Sequence, residues 1–432
     1  MKKKYRIILY TSIFLLCVVA SIILVVKKSN SVYEEESKPK VVKHKSMLSM
    51  NLEQTAGAGD YKTVTQSKWP TEGYKFNAEL SRCENGSTLS WDDTKKAVIV
   101  SGNLSDKCYV YFDIYQPTLA EYIKSQYTGT QGENNIYYHD SDLANGAGDN
   151  SYRYAGANPN NFVCFGTTES PCPTDNLYRI IGVFGENYHG VTGKQLVKLI
   201  KYDYMTTDEL GTDGDYSQTY KEWGMDSTYK GTYGDGERIG VYYWNYKATG
   251  SATNTWSTSL LNKTNLNTNF INNIGTTWAN KIATVTWKVG GNTWANIGTK
   301  TSSVAYTNEI TNPVTTNTTD NATTYSAKIG LMYVSDYGFA ASPDAWTLTM
   351  SSYNNTTATN NNWMYMGLYE WTISRIADGS DGACGVGDVG YVFSVSVISS
   401  NGGFGVRASF NLESSVSYVS GSGSMSDPIV IN

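Results

Sequence analysis

The clearest hydrophobic pattern in the chain lies near its C-terminus, where two short runs alternate apolar and polar residues. Every odd position between residues 391 and 397 is apolar, and so is every even position between 404 and 412. Alternation with period two is typical of strands that bury one face. Because Gly402 and Gly403 lie between the two runs, the pattern predicts a hairpin that closes the last domain.

A helical period appears farther upstream. Within residues 256–274, Leu266, Phe270 and Ile274 recur every four residues, and Gly275 follows. This spacing predicts an amphipathic helix that ends at the glycine. Most other positions are Asn and Thr, which are poor helix formers, so packing rather than propensity must hold the helix.

Residues 7–26 form an apolar run without a charged side chain. A helix of about 20 residues spans a hydrocarbon core of about 30 Å. Four basic residues precede the run and two follow it, which favours a cytoplasmic N-terminus and an extracellular bulk. The run therefore predicts an uncleaved single-pass anchor in the cell membrane, and a cleaved signal peptide is the alternative.

The patterns divide the chain into five parts and predict an α+β fold. Residues 1–28 are the transmembrane anchor, and residues 29–60, which lack apolar periodicity, form a disordered stalk. Short alternating runs separated by Asn-Gly and Ser-Gly turns predict a small disulfide-linked β-sandwich at 61–115. Residues 116–151 form a connector, and residues 152–432 form one large domain with long loops.

Composition favours a β-rich extracellular protein. Charged residues make up only 17% of the chain and aromatic residues 13%, with 34 Tyr and 40 Gly. The net charge is −5, and the first 30 residues carry six basic side chains and no acid, so the remainder is more acidic than the whole. Because binding to a phosphate backbone needs a surplus of Lys and Arg, no nucleic-acid partner is expected.

Five cysteines follow the predicted anchor, in agreement with an oxidising exterior. Cys83 and Cys108 lie within one predicted domain, and Cys164 and Cys172 lie close together in the next. Both pairs are predicted to form disulfides. Cys384 is left over in a Gly-rich segment, which predicts a free thiol on an exposed loop.

Aromatic and guanidinium side chains supply the candidate binding residues. Trp363, Tyr365, Trp371, Arg375 and Arg407 are of the types that stack on sugar rings or anchor a protein interface. They are therefore predicted to bind a glycan or a surface protein. The alternative places Trp371 in the core and makes Arg407 either a solvent-side residue or a buried one satisfied by carbonyl groups.

One loop contains the pattern of a metal site. Asp140, Asp142, Asn145 and Asp149 are oxygen ligands on a Gly-bearing segment, which points to Ca²⁺. The spacing misses the EF-hand pattern, because the Asn-Gly pair falls one position late and no Glu closes the loop. A polar turn is the alternative, and no other cofactor is expected.

Little else in the sequence indicates catalysis. The three histidines lack a metal-binding spacing, and no Gly-X-Ser-X-Gly elbow or Cys-X-X-Cys pair is present. A glycosidase needs two carboxylates at one cleft, and Glu222, Glu370 and Asp336 remain candidates for such a pair. No catalytic residue is assigned.

The order of several motifs resembles a family of surface domains of Gram-positive bacteria. The motifs are Tyr178-Arg-Ile-Ile-Gly-Val183, Trp256-X-X-Ser259-Leu, Trp371-Thr-Ile-Ser-Arg375 and Gly405-Val-Arg-Ala-Ser-Phe410. The family patterns read Trp-X-X-Ser-X-Leu-Arg-X-Trp-Leu-Asn, Trp-Leu-Arg-Ser and Gly-Val-Arg-Pro, so Ala408 stands where Pro is usual. The resemblance implies a surface location, and the strand and hairpin that end in Gly-X-Arg resemble the C-type-lectin-like fold.

These features together predict a membrane-anchored extracellular surface protein that binds a glycan or a protein partner. Two other classes stay open, namely an enzyme acting on glycans or the cell wall and a purely structural envelope protein. The enzyme would need two carboxylates about 5 to 10 Å apart in a cleft. The structural protein would lack an aromatic-lined pocket.

Overall fold

The chain divides into two compact units, residues 1–115 and residues 116–432. Within unit 1 the described part begins at Leu48. The computed structural model describes residues 48–65, 68–70, 73–224, 227–233, 238–295, 297–313, 323–354, 356–398 and 403–432.

Unit 1 contains a four-stranded sheet and a two-stranded hairpin. Its strands are β1 (Leu48–Glu53), β2 (Tyr61–Val64), β3 (Tyr74–Cys83), β4 (Thr88–Asp92), β5 (Ala97–Ser101) and β6 (Cys108–Ile114). The sheet has the order β2-β1-β6-β3, in which only β1 and β6 are parallel, and β4 pairs with β5. Met50 and Leu52 of β1 pack with Val110 and Phe112 of β6 in a small core.

Unit 2 is organised around a seven-stranded sheet of order β16-β20-β11-β10-β8-β7, with β9 paired to β10. Its strands are β7 (Ile136–His139), β8 (Ser151–Tyr154), β9 (Phe162–Cys164), β10 (Leu177–Phe184), β11 (Leu196–Lys201), β12 (Glu222–Gly224), β13 (Arg238–Gly240), β14 (Val285–Lys288), β15 (Thr324–Ala327), β16 (Ile329–Gly330), β17 (Glu370–Arg375), β18 (Gly382–Val386), β19 (Val392–Ser396), β20 (Ser409–Asn411), β21 (Tyr418–Ser420) and β22 (Val430–Ile431). Every residue of β10 and β11 is buried, so these two strands form the centre of the core.

The described part of unit 2 contains seven short α-helices. Two π-helical segments adjoin two of these helices: Leu261–Phe270 runs into the helix Ile271–Ala279, and Thr307–Thr311 follows the helix Ser302–Tyr306. The helices are α1 (Leu119–Ser125), α2 (Glu186–His189), α3 (Thr207–Leu210), α4 (Ile271–Ala279), α5 (Ser302–Tyr306), α6 (Val334–Ala340) and α7 (Thr356–Asn360).

The helix predicted at residues 256–274 is present, but it differs in detail. The π-helical segment runs directly into α4, with Leu266 and Phe270 fully buried. Gly275, with a φ of 75° and a ψ of 164°, is not helical, so the first helix ends there as predicted and a second short helical segment follows to Ala279. The polar side also contributes to packing, because the buried Asn265 donates through Nδ2 to the Leu210 carbonyl at 2.8 Å.

The predicted C-terminal hairpin was wrong. Strand β19 pairs with β18, whereas β20 pairs with β11 and β16 in the large sheet. Residues 403–412 are buried throughout, because other elements cover both faces of this segment. Alternation with period two therefore indicated strand structure without identifying the partner strand.

The predicted architecture was also wrong, although the α+β class itself agrees with the structure. The described chain is a mixed α+β protein built mostly of strands. The sandwich expected at 61–115 is one sheet with a separate hairpin, because β1, which falls in the predicted stalk, lies between β2 and β6. The C-type-lectin-like expectation depended on the hairpin that does not form, and β7 and β8, from the predicted connector and its border, belong to the large sheet.

The predicted membrane anchor at residues 7–26 lies outside the described residues. None of the helices in the described ranges combines the length and apolar content needed to cross a bilayer.

Both predicted disulfides are confirmed. Cys83 is bonded to Cys108 in unit 1, and Cys164 to Cys172 in unit 2. Cys384 is a free cysteine, but it lies buried in β18 rather than on an exposed loop. Burial raises the pKa of its thiol well above the usual value, which makes it a poor nucleophile.

A buried carboxylate caps the N-terminus of α6. Glu309 accepts hydrogen bonds from the Val334 N–H at 3.1 Å, the Ser335 N–H at 3.0 Å and the Ser374 hydroxyl. These donors favour the charged form. Burial outweighs them and raises the pKa of Glu309 to about 7, and the nearby Asp336 adds to the rise.

The stability of the protein should depend on this carboxyl group. The folded state binds the Glu309 proton more tightly than the unfolded chain does. The stabilisation that this tighter proton binding gives the folded state is therefore complete below pH 4.5 and is lost as the pH rises to about 7. At about 1.4 kcal/mol for each pKa unit, the loss amounts to about 3 kcal/mol. Urea unfolding of the wild type and Glu309→Gln across this range should show the variant gaining relative stability as the pH rises. A difference that does not change with pH contradicts the assignment.

Candidate functional site

The five residues predicted to bind a ligand are interior residues of unit 2. Their exposed fractions run from 0% for Trp371 to 8% for Tyr365, with Trp363, Arg375 and Arg407 between these values. A sugar ring cannot stack on a face that neighbouring side chains already cover. In this structure the five side chains therefore do not form an accessible binding surface.

Arg407 forms a buried, two-pronged ion pair. Its Nε lies 2.7 Å from Oε1 of Glu370 and its Nη2 lies 2.8 Å from Oε2, while Nη2 also donates to the Met364 carbonyl at 2.7 Å. Burial raises the pKa of Glu370, and Arg407 opposes that rise. The guanidinium group thus compensates an interior carboxylate, which is a structural role.

Trp371 and Arg375 are tied to the backbone of neighbouring segments. The Trp371 indole donates to the Tyr242 carbonyl at 2.7 Å, and its ring packs against Phe404 with centroids 4.3 Å apart. The Nε of Arg375 donates to the Val289 carbonyl at 2.9 Å, which orients the buried side chain. Both residues hold loops onto strand β17.

The residues predicted to bind Ca²⁺ are engaged in local contacts. Asp140 Oδ1 accepts from the backbone N–H of Asp142 at 3.1 Å. Asp149 forms an ion pair with Arg153 at 2.8 Å, and Asn145 takes a left-handed φ of 59° in the turn. Among the residues the structure describes, no group of three His, Cys, Asp or Glu side chains is arranged to hold a metal ion.

A polar cleft opens on unit 2 between α3, β12 and β13. Its volume is about 590 Å³, within the range of roughly 300–1,000 Å³ that ligand pockets occupy. Each described lining residue carries a carboxylate, amide, hydroxyl or guanidinium group. The lining residues are Asp175, Asn176, Thr206, Thr207, Asp208, Glu209, Glu222, Tyr233, Arg238 and Asn273.

The carboxylate of Glu209 is fixed at both of its oxygens. Oε1 lies 2.8 Å from Nζ of the buried Lys201, and Oε2 accepts from the Thr206 N–H at 2.9 Å in a capping box that begins α3. Lys201 also donates to the Asp175 carbonyl, so one ammonium group joins two walls of the cleft. Glu209 is therefore a preorganised acceptor.

The opposite wall comes from the β12–β13 pair. Glu222 accepts through Oε1 from the Thr207 hydroxyl at 3.1 Å, and Arg238 begins the neighbouring strand. Tyr233 is held in place because its hydroxyl donates to the Tyr204 carbonyl at 2.7 Å. Its phenol is the aromatic group of the lining.

The lining is acidic. Among the lining residues that the structure describes there are four carboxylates and one guanidinium group, and the Lys201 ammonium contacts Glu209. Of the three carboxylates considered for a glycosidase, only Glu222 belongs to the cleft. Glu370 is buried against Arg407, and Asp336 is buried in an ion pair elsewhere in the core.

The sequence patterns did not predict most of the residues that line this cleft. Residues 211–240 show no hydrophobic period, although they supply β12 and β13. The one local signal was the spacing of Thr206 and Glu209, which matches a capping box. That motif predicts a helix start, but it does not indicate a ligand site.

Comparisons with known proteins found no matching family profile, no matching curated protein and no matching solved structure. The resemblance to Gram-positive surface domains therefore stays a prediction, and the chemistry of the cleft carries the functional argument.

Removing one member of the Arg407–Glu370 pair should be strongly destabilising. Arg407→Met leaves a buried carboxylate without its partner, for which we expect a loss of about 3–5 kcal/mol in the free energy of unfolding. Adding Glu370→Gln removes the uncompensated charge and should recover a large part of that loss. Urea unfolding of the wild type, both single variants and the double variant measures the coupling. A stable Arg407→Met protein would contradict the structural role.

Proposed function

We propose that this chain is an extracellular glycan-binding protein and that the polar cleft binds neutral or amine-bearing sugars. The observation that carries the proposal is the lining itself, which combines carboxylates, two of them held in place, with amide and hydroxyl groups and a tyrosine. Sugar hydroxyl groups both donate and accept hydrogen bonds, so such a mixed set of partners suits them.

Preorganisation supports this proposal. Glu209 is held by Lys201 and Thr206, and Glu222 by Thr207, so these groups lose little conformational freedom on binding. Carboxylates accept stronger hydrogen bonds from hydroxyl or ammonium groups than neutral acceptors do. The fixed walls favour a ligand with donors on two sides.

The charge of the cleft narrows the class of glycan. In the described lining, four carboxylates outnumber one guanidinium group, so uronic acids, sulfated sugars and phosphorylated sugars meet net repulsion. Neutral sugars avoid this repulsion, and amino sugars are attracted. The proposal therefore commits to neutral or amine-bearing glycans.

The extracellular location is supported by the two disulfides. Disulfides persist in oxidising environments and are rare where thiols are kept reduced. The acidic, aromatic-rich composition agrees with exposure on or outside the cell.

The test is a glycan array probed with the full chain, including neutral, amino and acidic glycans, with and without calcium. Wild-type protein should bind neutral or amino glycans. Glu222→Gln and Asp208→Asn each replace a lining carboxylate and should weaken binding about tenfold or more, because a charge-assisted hydrogen bond contributes about 1.5–3 kcal/mol.

Asp344→Asn is the matched control, since Asp344 is an exposed carboxylate outside the cleft lining and its replacement should leave binding unchanged. Circular dichroism shows whether each variant is folded. Binding confined to acidic glycans, or binding that the cleft variants do not alter, overturns the proposal. Release of shortened glycans from bound material would replace it with an enzymatic function.

A further inference from the structure

A lysine and an aspartate meet in the interior of unit 2. Lys198 lies on β11 and Asp336 in the first turn of α6, 138 residues apart in sequence. The Lys198 Nζ is 2.7 Å from Oδ2 of Asp336, and both side chains are 0% exposed. Water thus has no direct access to this contact.

A tyrosine bridges the two groups. Lys198 Nζ donates to the Tyr188 hydroxyl at 2.6 Å, and that hydroxyl donates to Asp336 Oδ1 at 2.7 Å. The Tyr333 N–H also donates to Asp336 Oδ2, at 3.0 Å. The amine and the carboxyl group are therefore held in contact, and both carboxyl oxygens have a donor.

Aromatic rings enclose the amine. Its Nζ lies 4.2 Å from the centroid of Tyr333 and 4.9 Å from the centroids of Tyr188 and Trp287. Burial lowers the pKa of Lys198 to about 8, although Asp336 opposes that change. A larger fraction of the amine is therefore uncharged, and nucleophilic, than in a lysine exposed to water.

We propose that Lys198 and Asp336 condense spontaneously to an intramolecular amide bond between Nζ and Cγ. A proton passes from the ammonium group to the carboxylate along the direct contact, and the neutral amine attacks Cγ. The C–N bond forms, the bond between Cγ and Oδ2 breaks, and Oδ2 leaves as water with two of the three ammonium protons. The Oδ1 atom remains as the amide oxygen, and the Tyr188 hydroxyl still donates to it.

Two features favour this reaction at this position. Reactive groups held in contact behave as if present at effective concentrations of about 10⁵ M or more. The interior is a poor solvent for an ion pair, so replacing two charges with a neutral amide removes a desolvation penalty. The departing water moves to bulk solvent.

A second lysine on the same strand provides a matched comparison. Lys201 lies 2.8 Å from Glu209, a contact about as short as the first. The Glu209 side chain is 16% exposed at the cleft, so bulk water reaches that contact. Open to water, this pair keeps the solvation that favours separate ions over an amide.

The test is intact-mass spectrometry of the reduced full chain. The cross-linked protein should weigh one water molecule less than its sequence requires. Trypsin should then yield a branched peptide that joins residues 195–201 to residues 329–375, since neither segment contains another cleavage site once Lys198 is acylated. Fragmentation of this peptide locates the new bond.

Lys198→Met should restore the full mass and lower the unfolding temperature, whereas Lys201→Met should retain the mass deficit. If Lys198→Met does not fold, the wild-type spectra decide the matter alone. A wild-type chain of full mass with only linear peptides from both segments would show that the contact is an ion pair and would overturn the proposal.

Discussion

The fold of unit 2 depends on pairing charged side chains that have no access to water. Lys198 meets Asp336 at 2.7 Å, and Arg407 meets Glu370 at the same distance, with all four side chains almost fully buried. An uncompensated charge in such surroundings costs several kcal/mol. The first pair therefore fixes strand β11 against helix α6, and the second fixes strand β17 against the segment that leads into β20.

Aromatic side chains pack around these charged groups and make their burial possible. Arg153 illustrates the arrangement, because its guanidinium carbon lies 4.7 Å from the ring centroid of Phe184 and 5.0 Å from that of Phe339 while its Nη2 pairs with Asp149. Aromatic faces attract cations and at the same time fill space. The high Tyr and Trp content thus serves the interior of unit 2 as much as any exposed surface.

Features that depend on residues close together in the chain could be predicted from the sequence. The Cys83–Cys108 and Cys164–Cys172 pairs lie close along the chain, so spacing was enough to find them. The pairing of distant strands could not be predicted in this way, because β20 pairs with β11, which lies some 210 residues away in sequence. Alternation shows that a segment is a strand, but it carries no information about which strand lies beside it.

Buried charged residues were difficult to predict from the sequence, and for one common reason. Arg407 alternates away from the apolar positions of its run, which suggested a solvent-side residue, yet its guanidinium group is buried and donates to Glu370 and to the Met364 carbonyl. Lys and Arg are rarely buried, so sequence reasoning assigns them to the surface unless a partner is known. The same limit applies to the cleft, whose walls come from segments spread between Asp175 and Asn273.

One strand connects the core pair with the cleft. Lys198 and Lys201 are three residues apart on β11, and side chains at an odd separation point to opposite faces of a strand. One face therefore carries the contact to Asp336, and the other carries the ammonium group that supports Glu209 beneath the cleft. The proposed amide would fix β11 to α6 on one face, and this rigid strand would in turn hold Lys201 in position. A preorganised acceptor such as Glu209 needs that kind of support, because a carboxylate free to move loses entropy when it binds.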